Sequence, residues 1–172
     1  MGLDKRQLLD QLRRHFEERL GNASRAAHDA RDAAIHMATE SEKKEDARAA
    51  IEFGGLAAGQ SQRIRQAKAE LEQIELMSRR DLPKAGTEAR VALLSVVDVA
   101  IANEDGEEEE RTFFVLPLGA GAQLTGPGGD GFLSVITPAS PVGKALLGKR
   151  RGDSIDVFIE GRVSELRVVD VG

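Results

Sequence analysis

Few side chains in this sequence are of the kinds that do chemistry. There is no cysteine, which removes a thiolate nucleophile, a thiolate zinc site and a disulfide framework. The three histidines, His15, His28 and His36, show no Glu-x-x-His spacing and no nearby acid pair, and read as ordinary helical residues. No glycine-rich phosphate loop precedes a helix, and no nucleophile stands beside a base in a recognisable arrangement. A self-contained active site is therefore not expected. What remains is concentrated charge. Glu40, Glu42, Glu45 and Asp46 crowd into "TESEKKED" with Lys43 and Lys44, and Lys149, Arg150 and Arg151 close the apolar run of "SPVGKALLGKRRGD". The first cluster reads either as a solvated turn or as carboxylates put on display.

The acids lie between two segments of helical period. Apolar residues at Leu9, Leu12, Phe16, Leu20, Ala23, Ala27, Ala30, Ala34 and Met37 recur every three or four positions, the seam of a coiled coil. A second seam runs through Phe53, Ala57, Gln60, Ile64, Ala67, Leu71 and Ile74. The spacing predicts one antiparallel helical hairpin over residues 1–82, with its turn near 39–46 and the acids at its tip. Gly54, Gly55 and Gly59 fall inside the second helix, each at a cost of about 1 kcal/mol relative to alanine. Either backbones approach closely there or that part of the rod is soft.

Pro83 and Gly86 mark a linker over 83–88, after which residues 89–172 read as β structure. Strands are expected over Ala89–Ile101, Arg111–Gly119, Gly131–Pro138, Ser154–Gly161 and Arg162–Val171, an antiparallel sheet of about five strands. "EDGEEEE" reads as a solvated acidic loop. Within "SPVGKALLGKRRGD", Ser140 is the expected N-cap and Pro141 the first helical residue. Val142, Ala145, Leu146 and Leu147 form an apolar face, Gly148 ends the helix, and the three cations sit where its dipole favours them. The class is α+β: a helical hairpin followed by a small sheet domain with one short helix.

Charge bounds the partners. Residues 1–84 carry 16 Lys and Arg against 15 Asp and Glu, whereas residues 85–172 carry 8 against 14. A protein that grips a nucleic-acid backbone normally shows a basic excess. With no Trp, no Tyr and six Phe, base-stacking platforms are also not expected. A protein partner is. The N-terminal "MGLDKRQLLDQLRRHFEERL" lacks the apolar core of a signal peptide, and no apolar run approaches the roughly 20 residues that span a bilayer. A soluble cytoplasmic protein is the expectation.

"ITPASPVGKALLGKRRGDSIDV" closely resembles the C-terminal signature of the GreA/GreB family of bacterial transcription elongation factors, which pairs Ser-Pro with an "ALLGK" core and a Gly-Asp leading into a strand. The layout of a helical hairpin before a small sheet domain agrees with it. The resemblance implies an FKBP-like C-terminal domain that binds RNA polymerase. It also implies a rod that enters the polymerase secondary channel and tip acids that help hold a second Mg²⁺ for cleavage of backtracked RNA. Nucleic acid is then met only through the elongation complex, and no cofactor is stably bound. The family's tip resembles Gly-Asp-Leu-x-Glu-Asn-Ala-Glu-Tyr. Matching its last two residues to Glu52 and Phe53 places Asp46 at the functional acid, while Ala49 stands at the second acid and Ala50 at the Asn. Asp46 is thus the implied metal-holding residue, with Glu45 and Glu42 in support. For docking on polymerase the implied residues are Ser140, Pro141, Val142, Gly143, Lys144, Leu147, Gly148 and Lys149, together with the glycine-rich loop Pro117–Gly131.

Other classes predict other features. A channel occupant that competes without stimulating cleavage needs the docking surface but not the second acid. A coiled-coil module unrelated to polymerase needs exposed heptad faces. A prolyl isomerase, also possible on an FKBP-like fold, needs an aromatic pocket, and here Phe113, Phe114, Phe132 and Phe158 alternate as strand core would.

Overall fold

The computed structural model describes all residues except 1–3, 41–43, 85, 87, 103–107, 127–130 and 160. The chain divides into two compact units. One is Arg13–Arg79; the other joins the chain up to Leu12 to Arg80–Gly172.

The first unit is built from two α-helices of 36 and 35 residues, α1 (Lys5–Glu40) from Arg13 onward and α2 (Lys44–Ser78). At 1.5 Å per residue each is on the order of 50 Å long. Contacts across the pair run in opposite directions along the chain: Arg19 meets Glu70 at 3.7 Å, and further along α1 Arg31 donates to Ser61 Oγ at 3.3 Å. The helices are therefore antiparallel, as the two seams require. Seam residues Phe16, Ala27, Ala30, Ala57, Ala67 and Ile74 are buried, and Met77 continues the row. The seam is best filled where its side chains are large, and there the Arg19 guanidinium lies 5.1 Å above the Phe16 ring.

The second unit holds a six-stranded sheet in the order β3-β4-β2-β1-β6-β5. Its strands are β1 (Val96–Ala102), β2 (Glu108–Val115), β3 (Gln123–Thr125), β4 (Phe132–Ile136), β5 (Ser154–Ile159) and β6 (Arg162–Val171), with α3 (Pro141–Leu146) between β4 and β5. Three expectations are corrected. The sheet is mixed: β4 returns beside β2 in parallel, after a hairpin with β3 that the glycine-rich stretch conceals. The run Ala89–Ile101 is not one strand, because Leu94 adopts a left-handed φ of 67° in the turn Ala92–Ser95 and β1 begins only at Val96. Glu108–Glu110 of the acidic run belong to β2, paired with Ala102, Ile101 and Ala100. All three are exposed, and two are paired: Arg167 meets Glu108 at 3.2 Å, and Arg111 forks onto Glu109, holding that carboxyl below the usual carboxylate range.

Alternation gives the sheet two faces. Val97, Val99, Ile101, Phe113, Val115, Ile136, Val157, Leu166 and Val168 point to one, and α3 closes it with Leu146, which is 0% exposed. Val96, Phe114 and Val135 share the other face by register. Leu8, Leu9 and Leu12 of α1, fully buried, count with this unit rather than with the hairpin. Leu12 is placed there by its approach to the backbone at Gly119, beside Val135. Two further ties hold α1 here. The Gln11 carboxamide exchanges two 2.9 Å hydrogen bonds with the backbone of Thr125 on edge strand β3, and Lys5 Nζ donates to the Pro83 carbonyl at 2.5 Å.

Burial lowers the Lys5 ammonium below the ordinary lysine range. The folded chain then sheds this proton before the unfolded chain does, so stability gains from Lys5 as pH rises from its depressed value to the ordinary one. Denaturant titrations across alkaline pH should show that rise in the natural chain and its absence in Lys5→Met.

Candidate functional site

Two places answer to the residues singled out by sequence: the short helix α3 and the hairpin tip.

At α3 the backbone is fixed from both ends. Ser140, in extended conformation, accepts the Gly143 N–H at 3.0 Å and donates its hydroxyl to the Thr137 carbonyl at 2.8 Å. Pro141 supplies the first helical φ without an N–H to satisfy. Gly143 is buried against the end of β4. A Cβ built there would stand 2.0 Å from the Thr137 carbonyl oxygen, so no other residue fits. Gly148 turns the chain out with φ +77°. Its N–H goes to the Val91 carbonyl at 2.8 Å, while Val91 N–H returns to Lys149 O at 2.8 Å. Arg90 donates to the Gly148 carbonyl at 3.0 Å, and Asp153 accepts the Arg150 N–H at 2.9 Å across the basic turn.

Most of the eight residues expected to dock a partner therefore have duties in the fold. Ser140 caps, Gly143 permits the close approach, Val142 and Leu147 pack on the core, and Gly148 turns the chain. Pro141 and Lys144 point outward, and Lys149 is half-buried. The Pro117–Gly131 stretch is less open than its glycines suggest. Leu118 and Leu124 are buried, and a Cβ built on Gly119 would stand 3.2 Å from Leu12 Cδ1. Residues missed by sequence are Arg90 and Gln11, which stitch distant segments to this domain through backbone carbonyls. Neither has a local signal, since both lie off any periodic face.

At the tip, Glu45 and Asp46 lie in the first turn of α2 and Ala49 in the second, but their side chains are outside the described ones, and Glu42 is outside the described residues. Among the described residues no cluster of three or more His, Cys, Asp or Glu could hold a metal ion. His28 faces Asp32 at 3.1 Å one turn away on the surface, and His15 sits edge-on to Phe16. Neither completes a catalytic pair.

Other concavities are modest. Where the seam thins to Ala23, Ala26 and Ala67, the helices leave a groove of about 550 Å³ rimmed by Arg19 and Arg63. The four C-terminal phenylalanines do not converge. Phe113 and Phe114 are buried on opposite faces, whereas Phe132 and Phe158, against the expectation of core, are 75% and 65% exposed. The aromatic pocket that an isomerase needs is not formed among the described residues.

The domain built around α3 matches a family model described as transcription elongation factor, GreA/GreB, C-terminal, over residues 87–172. The chain belongs to the GreA/GreB family. No curated protein matches. Among solved structures, GreA factor homolog 1 of Thermus thermophilus is 22% identical with TM-score 0.39, covering 97% of this chain and 94% of its own. A GreA/GreB elongation factor of Nitrosomonas europaea is 23% identical with TM-score 0.33, covering 59% and 78%. In this GreA/GreB chain the matched region spans β1 to β6 with α3 among them. The Ser140–Asp153 signature lies inside that region, where Gly143 admits no side chain and Gly148 takes a left-handed φ.

Proposed function

We propose that this chain binds bacterial RNA polymerase and regulates elongation, docking through its sheet domain and presenting the hairpin tip to the secondary channel. The observation that carries the reading is the family match over 87–172 in a chain that also holds an antiparallel pair of helices, each of 35 residues or more, with acids at their junction. Pro141 and Lys144, outward on α3, are the docking residues with least to do in the fold. The factor has no reaction of its own. Its part is to bring carboxylates to another enzyme's metal.

Mg²⁺ takes hard oxygen ligands and keeps several waters, so one or two carboxylates from a probe can complete a site half-built by phosphates. The donor set at the tip fits such an ion: Asp46 stands at the matched acid, with Glu45 and Glu42 beside it in sequence. Bound there and in polymerase together, the ion would stabilise the attacking oxygen of a hydrolytic displacement. Ala49, at the second acid position, contributes no oxygen. It favours the second reading, a channel occupant that competes without cleavage.

RNA cleavage in a stalled, backtracked elongation complex, measured at several Mg²⁺ concentrations, separates these. Cleavage is expected with the natural chain and reduced at least about ten-fold in Asp46→Asn, the loss usual when a group supporting a catalytic metal is removed. No cleavage, but displacement of an authentic Gre factor from polymerase, would establish the competitor. Neither result would leave a shared fold without the shared partner.

A further inference from the structure

The three glycines of α2 pose a question that the seam does not answer. Ala-rich α1, of similar length, carries a single glycine, Gly21. If Gly54, Gly55 and Gly59 served close packing, a Cβ at each would meet a neighbour. Instead a Cβ built at any of the three has no atom within 4 Å beyond its own stretch of helix. They weaken the helix and receive no packing in return. At the same turn Ser61 donates its hydroxyl to the Ala57 carbonyl at 2.9 Å, a back-bond that competes with the helical ladder and bends helices. Packing fades at the same place. Root-side α2 buries Ala67, Ile74 and Met77, whereas on the tip side Ala57 is the one buried side chain among those described, and Ile51 and Leu56 are 75% and 51% exposed.

We propose that Gly54–Ser61 is a hinge in α2, at which the tip-side part of the helix opens and recloses independently of the root-side part. Local opening follows from few buried contacts and a weak helical backbone, and both coincide here. The segment that opens is the one that begins with Glu45 and Asp46. The hinge lets the tip acids change their attitude without unpacking Phe16 and Ile74. The inference stands without the polymerase reading, because it concerns the isolated chain.

Amide hydrogen exchange of the full chain, resolved by peptide mass spectrometry, tests it. Peptides within residues 48–59 should exchange at least about ten-fold faster than those within 64–77. Each exposed Gly→Ala change shifts a helix–coil equilibrium about five-fold toward helix, so Gly54→Ala, Gly55→Ala and Gly59→Ala together should slow tip-side exchange roughly a hundred-fold. Root-side exchange should not move. Equal protection on both sides in the natural chain, or equal slowing of both sides in the triple variant, would show the hairpin opening as one unit and overturn the hinge. Ser61→Ala serves as the second variant: a few-fold slowing confined to the tip side supports the hinge, and none, or slowing of both sides, counts against it.

Discussion

Gly143→Ala is expected to destabilise the sheet domain by about 4 kcal/mol or more, among the largest losses a single methyl can produce. The cause is space, not backbone conformation, since Gly143 lies in ordinary helical geometry within α3. Its Cβ would fall 2.0 Å from the Thr137 oxygen and 2.8 Å from the Thr137 carbonyl carbon. That carbonyl cannot swing aside freely, because it accepts the Ser140 N–H at 3.0 Å and the Ser140 hydroxyl at 2.8 Å. Relief would require moving α3 off the core, and with it Leu146. Urea unfolding should show a collapse of the midpoint at unchanged slope. Gly148→Ala is the informative neighbour: with nothing within 4 Å but φ +77°, it should cost only the roughly 1–2 kcal/mol of a left-handed alanine. If the two variants behaved alike, close approach would not be what Gly143 provides.

Phe114→Ala should cost about 3–5 kcal/mol, the range for emptying a buried aromatic site. Phe114 is 0% exposed on central strand β2, opposite Val96 on one side and Val135 on the other. Both neighbouring strands are held in register and the face is closed, so the cavity has little room to collapse. Phe158→Ala makes the control. It removes the same atoms from a residue 65% exposed on edge strand β5 and should change stability by no more than about 0.5 kcal/mol. Parallel thermal or urea melts of the two variants decide the matter. A loss below 1 kcal/mol for Phe114→Ala would mean that this face is not packed as the register implies.

These expectations separate what local pattern conveys from what it does not. The rod was legible because a seam with gaps of three and four residues can bury its apolar side only against another helix. The α3 signature was legible because Ser, Pro and Gly each answer a specific backbone need at a helix end. Strand β3 was not, since three residues among glycines have no period of their own. They are a strand because β4 lies beside them and Gln11 bonds their far edge. Nor could Leu94 announce its left-handed turn, which is secured by a hydrogen bond to Val115 twenty-one positions along. The candidate site divides in the same way. Asp46 and the outward α3 residues were named from the resemblance to the family, whereas the folding duties of Ser140 and Gly143 toward Thr137 depend on where β4 ends.

By itself the sequence determined the two long helices, the short helix α3 with its family signature, and the placement of acids at a helical junction, because each is written in residues close together in the chain. Tertiary structure alone decided three things. It counted Leu8, Leu9 and Leu12 with the unit that holds the sheet, although Leu9 and Leu12 fit the hairpin seam, because an apolar helical face is satisfied by whichever surface it reaches. It made β2 and β4 parallel, because pairing depends on partners far apart in the chain. It also showed that the glycines of α2 face open space, because the volume around a backbone is set by its neighbours and not by its own residues.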